Sequence, residues 1–210
     1  VISWLSFPEL TTFVLASLVL GISPGPGVLY IITRSLVNGR RSGLVSAAAM
    51  AIGNLVCGLV VALGLTAIAA ISSILLMTLR YAGAAYLVYL GIRLILARTQ
   101  PAGPASAPAV SQQRVFLDGL LVALLNPKTM VFFAAFLPQF MDATRPPLLQ
   151  GSVLVTLFVL IAFITDSGYA LAAGWVAAPL QRSDRLQSTG RLIGGVFLAF
   201  LGIAAALSAS

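Results

Sequence analysis

Apolar residues recur along this chain in successive runs of about 20, and that pattern leaves few folds open. A helix needs about that many residues to cross the ~30 Å hydrocarbon layer of a membrane. In lipid every backbone amide must find its partner inside the structure, which for runs of this kind leaves helices. A helix on a soluble core would show a polar face along its length. A soluble domain would also carry about 25% charged residues, whereas this chain carries 8%, against 60% hydrophobic. One signal peptide or one anchor does not repeat in this way, and no basic stretch precedes the first run as a cleaved signal would require. The expected fold class is all-α: a polytopic membrane protein of six transmembrane helices.

The spans are predicted at Leu10 to Ile32, Gly43 to Leu65, Ile74 to Ala97, Val115 to Leu137, Leu148 to Val176 and Leu192 to Leu207. The third is the least clean, because Arg80 and Arg93 stand 13 residues apart, about 20 Å at the helical rise. Their long side chains are expected to snorkel to opposite interfaces. Thr66 to Ser73 reads either as an outer loop or as an extension of the second span.

Basic residues set the expected orientation. Arg34, Arg40 and Arg41 lie between spans one and two, Arg93, Arg98 and Arg114 between three and four, and Arg182, Arg185 and Arg191 between five and six. The other side receives Arg80 and Arg145, nine against two. Positive charge stays in the cytoplasm, so both termini are expected on the periplasmic side of a bacterial inner membrane. The net charge of +7 is thereby a topology signal rather than a nucleic-acid footprint, and no nucleic-acid partner is expected.

The chain is expected to form one transmembrane domain over 1–210. Residues 98–114, rich in Pro, Ala, Ser and Gln, read as a flexible cytoplasmic linker between a first half, 1–97, and a second half, 115–210. Three spans per half make the halves enter the membrane in opposite directions, the arrangement of inverted-repeat transporters. Direct similarity between the halves is weak, but each has a proline-interrupted first helix, at Pro24 and at Pro127.

Chemistry-bearing residues gather at those interruptions. In Gly21-Ile22-Ser23-Pro24-Gly25-Pro26-Gly27, two prolines remove backbone donors in the middle of span one. Ser23, Pro24, Gly25 and Pro26 then either form a packing kink or line a wet cavity, where a broken helix offers amides and a positive dipole end to a carboxylate. Asn126-Pro127-Lys128 interrupts span four. A lysine that deep costs at least ~2.5 kcal/mol on insertion scales, so Lys128 must face the protein interior. There it contacts a substrate carboxylate or a membrane-embedded acid. Asp166, near the middle of span five with Tyr169 close by, is open to three uses: a substrate amine, a coupling proton, or a pairing with Lys128. Asn54, Tyr30 and Tyr86 are weaker candidates, since lone polar side chains in membrane helices often bond a neighbouring helix. Asp118 opens span four and is expected to pair with a nearby arginine. Gly190-x-x-x-Gly194 offers a small-residue packing face in the last span, and a homodimer is left open.

Other chemistries lack their parts. The chain has no histidine and one cysteine, Cys57. That removes the commonest general base, an intramolecular disulfide and thiol-pair electron transfer, and argues against a transition-metal site. Neither an enzyme activity nor a cofactor is expected.

Several stretches resemble the LysE/RhtB family of amino-acid exporters. Gly21-x-Ser23-Pro24-Gly25-Pro26 is similar to its first-helix signature, and Asn126-Pro127-Lys128 with Phe132-Phe133 and Leu137-Pro138-Gln139-Phe140 to its fourth-helix motif. Ala82-Gly83-Ala84-Ala85-Tyr86-Leu87-Val88-Tyr89-Leu90-Gly91 resembles its third helix, and Asn38-Gly39 with Arg40 and Gly43 its turn into span two. The likeness covers nearly the whole chain and is looser in span two, where Ala48, Met50 and Gly53 stand in place of more glycine. It implies a secondary exporter of small amino acids or their derivatives, typically driven by protons, with the two proline breaks as counterparts. Asp166 is read from its depth in the span and not from the resemblance. One mid-membrane carboxylate favours neutral substrates such as threonine, homoserine or branched-chain amino acids over basic ones. The rival readings are a channel or a non-catalytic interaction protein and, further off, a lipid- or peptide-modifying membrane enzyme.

Overall fold

The computed structural model describes residues 4–64, 73–96, 111–142, 144–180 and 184–207. These residues are helical and contain no strand. The helices are α1 (Phe7–Ile22), α2 (Pro26–Asn38), α3 (Arg40–Gly64), α4 (Ser73–Leu96), α5 (Gln112–Leu124), α6 (Pro127–Phe136), α7 (Pro147–Leu180) and α8 (Asp184–Leu207), with a 3₁₀ turn at Leu137–Phe140. The segments 65–72 and 97–110, most of the expected linker, lie outside the described residues, as do the side chains of Arg80, Arg98, Arg182, Arg185 and Arg191.

Among the described residues two helices are by themselves long and apolar enough to cross a membrane, Arg40–Gly64 and Pro147–Ala177. Two bent pairs also qualify when each is taken as one span: α1 with α2, bent by 49°, and α5 with α6 and the 3₁₀ turn, bent by 45°. Both bends fall at the proline interruptions. The expected spans one and four are therefore each two helices, because Pro24, Pro26 and Pro127 have no N–H to carry the ladder through. The expected boundaries also run short: α2 continues to Asn38 and α8 begins at Asp184, eight residues before Leu192. Polar residues extend a helix beyond the hydrocarbon layer without entering the apolar pattern.

Local signals fix the ends. Ser6 and Glu9 form a reciprocal capping box at the start of α1, with Ser6 N donating to Glu9 Oε2 at 2.7 Å. Gly39, at φ 85°, makes the turn from α2 into α3, a conformation that disfavours any side chain. On the tertiary level α3 packs along α7 and α4 along α8. Further contacts join α3 to α5 and α1 to α7, α2 to α7 and α3 to α6, and α2 to α8 and α4 to α6.

The α4–α8 seam is backbone against backbone. A Cβ at Gly91 would lie 2.5 Å from Gly195 O and 2.7 Å from Ala199 N. On α8 this seam is made by Gly195 and Gly202, with Gly194 against Thr33; the surroundings of Gly190 lie outside what is described. Replacing Gly91 with valine is expected to destabilise the protein by about 1–3 kcal/mol, since the backbone it meets cannot swing aside. A thermal-unfolding series in detergent would show it. Gly168→Ala is the control, because its Cβ meets nothing within 4 Å.

One end of the bundle collects basic residues. Arg40 stacks 5.7 Å from the Trp175 ring centroid, Ser42 bonds Gln112, and Gly194 lies beside Thr33 and Leu94, next to Arg34 and Arg93. The far end carries the Ser6–Glu9 box and the Asp142–Arg145 pair at 3.4 Å.

Candidate functional site

The first break is built by its own residues. Ser23 N donates to Val19 O, the last turn of α1. The chain then runs extended through Ser23 (φ −66°, ψ 117°) and Gly25 (φ −141°, ψ −176°). Helix resumes at Pro26, the first position of α2, where a missing N–H costs nothing. No side chain caps this terminus, so the first amides of α2 are left for another acceptor.

The second break repeats the pattern with one difference. Pro127 is the first residue of α6, but here Asn126 supplies a cap, its Oδ1 accepting from Lys128 N at 3.1 Å. The same side chain donates through Nδ2 to Thr129 Oγ1 at 3.3 Å. One helix start is satisfied from within and the other is open.

Lys128 leaves α6 and reaches the end of α1. Its Nζ donates to Leu20 O at 2.9 Å and to Ser23 O. Tyr169 OH donates to Ile22 O at 2.6 Å. Carbonyls at a helix C-terminus lack intrahelical donors and carry the negative dipole end, so a cation there is favoured. Gly25 leaves the lysine its space: a Cβ there would lie 3.1 Å from Lys128 Cδ. An ammonium has three donors, and two are committed to the protein.

These groups surround a cavity. Its polar lining is Lys128, Asp166, Asn54, Asn126 and Thr129, together with Gly25 and Gly27 at the open start of α2. Leu20, Val28, Met50, Phe158 and Ala162 form the apolar wall. The enclosed void is small, about 40 Å³, room for a few water molecules. Among the described residues nothing bonds or ion-pairs with the Asp166 carboxylate, although it is 7% exposed. Asn54 is equally buried, and its Oδ1 has no partner. Buried polar atoms without partners are rare and costly.

Of the residues expected from sequence, Gly25, Asn54, Asn126, Lys128 and Asp166 meet on this cavity. Ser23 contributes its carbonyl, and Tyr169 holds α1 from α7. Pro26 and Pro127 instead line a second void of about 10 Å³, with Asn126 shared between the two. Two expectations change. Pro24 is exposed and lines neither void, whereas Pro26, like Pro127, is the first residue of a helix. Lys128 and Asp166 face each other without a contact ion pair: their charges attract across the cavity, while the hydrogen bonds of the ammonium go to the α1 carbonyls. Thr129, Met50, Phe158 and Ala162 were not foreseen as lining. Thr129 adjoins Lys128 and was within reach of that clue; an apolar residue in an apolar helix carries no such mark.

Tyr30 and Tyr86 fall elsewhere, with the expected Asp118–arginine pair. Arg34 Nη2 meets Asp118 Oδ2 at 2.8 Å, with both side chains largely buried. Arg34 Nε donates to Tyr30 OH at 3.0 Å, Tyr30 OH to Val115 O at 3.0 Å, and Tyr86 OH to Asp118 Oδ1 at 3.1 Å.

The LysE type translocator family model matches residues 18–209. A homoserine/homoserine lactone efflux protein of Salmonella typhi is 32% identical over 186 residues, 89% of this chain and 90% of the relative. A leucine efflux protein of Salmonella choleraesuis is 27% identical over 199 residues, 94% of this chain and 93% of the relative. An uncharacterized membrane protein of Vibrio cholerae is 31% identical over 187 residues, 89% and 91%. No solved structure matches. The family match runs through both proline breaks and the cavity between them, and it shows that this multi-pass chain belongs to the LysE type translocators.

Proposed function

We propose that the protein is a secondary exporter of small neutral amino acids or their derivatives, coupled to protons and working by alternating access. The observation that carries this is the cavity where a cation, a carboxylate and an uncapped helix start meet within one apolar wall. An amino acid presents the complementary set. Its carboxylate takes the third donor of Lys128 and the first amides of α2; its ammonium takes Asp166 and the vacant Asn54 Oδ1. Asp166 also accepts the coupling proton when the substrate leaves. Leu20, Val28, Met50, Phe158 and Ala162 present an apolar wall to an uncharged side chain and offer no partner to a second ion. The named homoserine and leucine efflux relatives agree with a neutral substrate.

The reading takes six spans in two inverted halves: α1 with α2, α3 and α4, then α5 with α6, α7 and α8. Part of the pattern of contacts supports it, although among the described residues α2–α3, α2–α5, α4–α5 and α7–α8 have no matching pair of comparable extent. Exchanging each helix for its counterpart turns α3–α5 into α1–α7, α2–α7 into α3–α6, and α2–α8 into α4–α6, while α3–α7 and α4–α8 map onto themselves. The basic end is cytoplasmic and both termini are periplasmic, in a bacterial inner membrane. A homodimer is compatible with this arrangement.

The test is efflux from proteoliposomes loaded with leucine, threonine or homoserine under an imposed pH gradient. Saturable flux that collapses with the gradient is the expected result. Non-saturating flux indifferent to the gradient would make the protein a channel, and no flux of any amino acid would end the proposal.

A further inference from the structure

Different chemistry stands at the two ends of the cavity. Away from the basic end, Phe13, Phe132, Phe133, Phe136, Phe140 and Phe158 pack ring against ring, as in Phe133–Phe158 at 4.9 Å and Phe13–Phe140 at 5.2 Å. Towards the basic end stands the network of Arg34, Asp118, Tyr30 and Tyr86. Arg34 lies nine residues past Gly25 and Asp118 eight residues before Asn126, about 12–14 Å from each break at the helical rise. The network therefore sits at one depth below both breaks.

Three of its four bonds cross between the halves of the chain. Tyr30 on α2 donates to Val115, Arg34 on α2 pairs with Asp118 on α5, and Tyr86 on α4 donates to Asp118. Above it the Tyr30 ring is wholly buried. Gly119 lets that ring close: a Cβ there would be 3.3 Å from it and 3.0 Å from Ala49 Cβ.

We propose that Tyr30, Arg34, Tyr86 and Asp118 form the gate that shuts the cavity off from the basic end of the bundle, and that the structure is the state with this gate closed. The inference rests on the cavity being the transport site. Stability alone does not account for the network, because a buried ion pair is often matched or bettered by well-packed apolar residues. A polar seam has another property. When the helices part, water replaces each bond one for one, so paired and hydrated states lie close in free energy. An apolar seam gains nothing from entering water. A two-state element of this kind is what alternating access requires.

Accessibility tests it directly. Ala162, on the cavity wall, becomes the reporter as Ala162→Cys with Cys57→Ala removing the native thiol. It is labelled with a membrane-impermeant maleimide in vesicles of both orientations. Arg41→Cys, exposed at the basic end, identifies that face. Asp118→Asn and Tyr86→Phe are each expected to speed labelling from the basic face about tenfold, with no rise from the other face. Tyr86→Phe removes one hydroxyl and decides the matter if Asp118→Asn does not fold. Unchanged labelling, or an equal rise from both faces, overturns the gate. If labelling responds while Lys128→Ala exports normally, the gate stands and the site fails; the reverse pair of results leaves the site and removes the gate.

Discussion

Lys128→Ala is expected to lower export by about a hundredfold to a thousandfold. The lysine holds two carbonyls at the broken end of α1 and has one donor left for the cavity. A hydrogen bond to a charged group is worth about 1.5–3 kcal/mol, and a cation at a partly buried helix C-terminus up to ~2 kcal/mol. With each 1.4 kcal/mol a factor of ten, losing both amounts to roughly two to three orders of magnitude. Counterflow of labelled amino acid into proteoliposomes would measure it. Lys128→Arg sharpens the test. It keeps the charge but spreads it over a planar fork, bulkier than the stem that packs so closely on Gly25 that an added Cβ there would come within 3.1 Å of Lys128 Cδ. Arginine is therefore expected to fail nearly as badly as alanine. Export at the native rate by Lys128→Ala would remove the lysine from the substrate site.

The sequence carried the parts of this site whose chemistry is out of place in lipid. Lys128, Asp166 and the proline breaks stand out because hydrocarbon tolerates charges and unpaired amides poorly, wherever the helices happen to lie. The same logic foresaw an arginine for Asp118, and Arg34 supplies it. What sequence could not show was which groups face each other. Pro24 and Pro26 remove donors equally well, yet only Pro26 begins a helix and lies opposite Pro127. Lys128 and Asp166 looked like natural partners, but the carbonyls of a frayed helix are acceptors that no residue code displays. Tyr30 and Tyr86 read as isolated hydroxyls until folding brought α2, α4 and α5 to one ion pair. Met50, Phe158 and Ala162 are silent in the sequence, since apolar residues on all faces of a membrane helix do not tell cavity from lipid.

Asp166→Asn is expected to move activity and stability in opposite directions. Asparagine keeps the shape and removes the charge. Were Asp166 a structural acid, its loss would strand a cation and cost several kcal/mol. No such cation is bonded to it: Arg34 and Arg145 have their own carboxylates, and Lys128 is held by Leu20 and Ser23. The carboxylate is buried against the cavity with no bonded partner, and the attraction of Lys128 across it only partly offsets the loss of solvent, so its charge is a burden on the empty protein. The melting temperature of Asp166→Asn in detergent should therefore equal or exceed the native value. Export should fall about a hundredfold, because a neutral amide neither binds an ammonium as strongly nor carries a proton across. This combination marks a functional residue kept at a cost in stability. Native flux would show that neither amine nor proton depends on Asp166. A lowered melting temperature with lowered flux would assign the carboxylate to the frame of the protein rather than to its cargo.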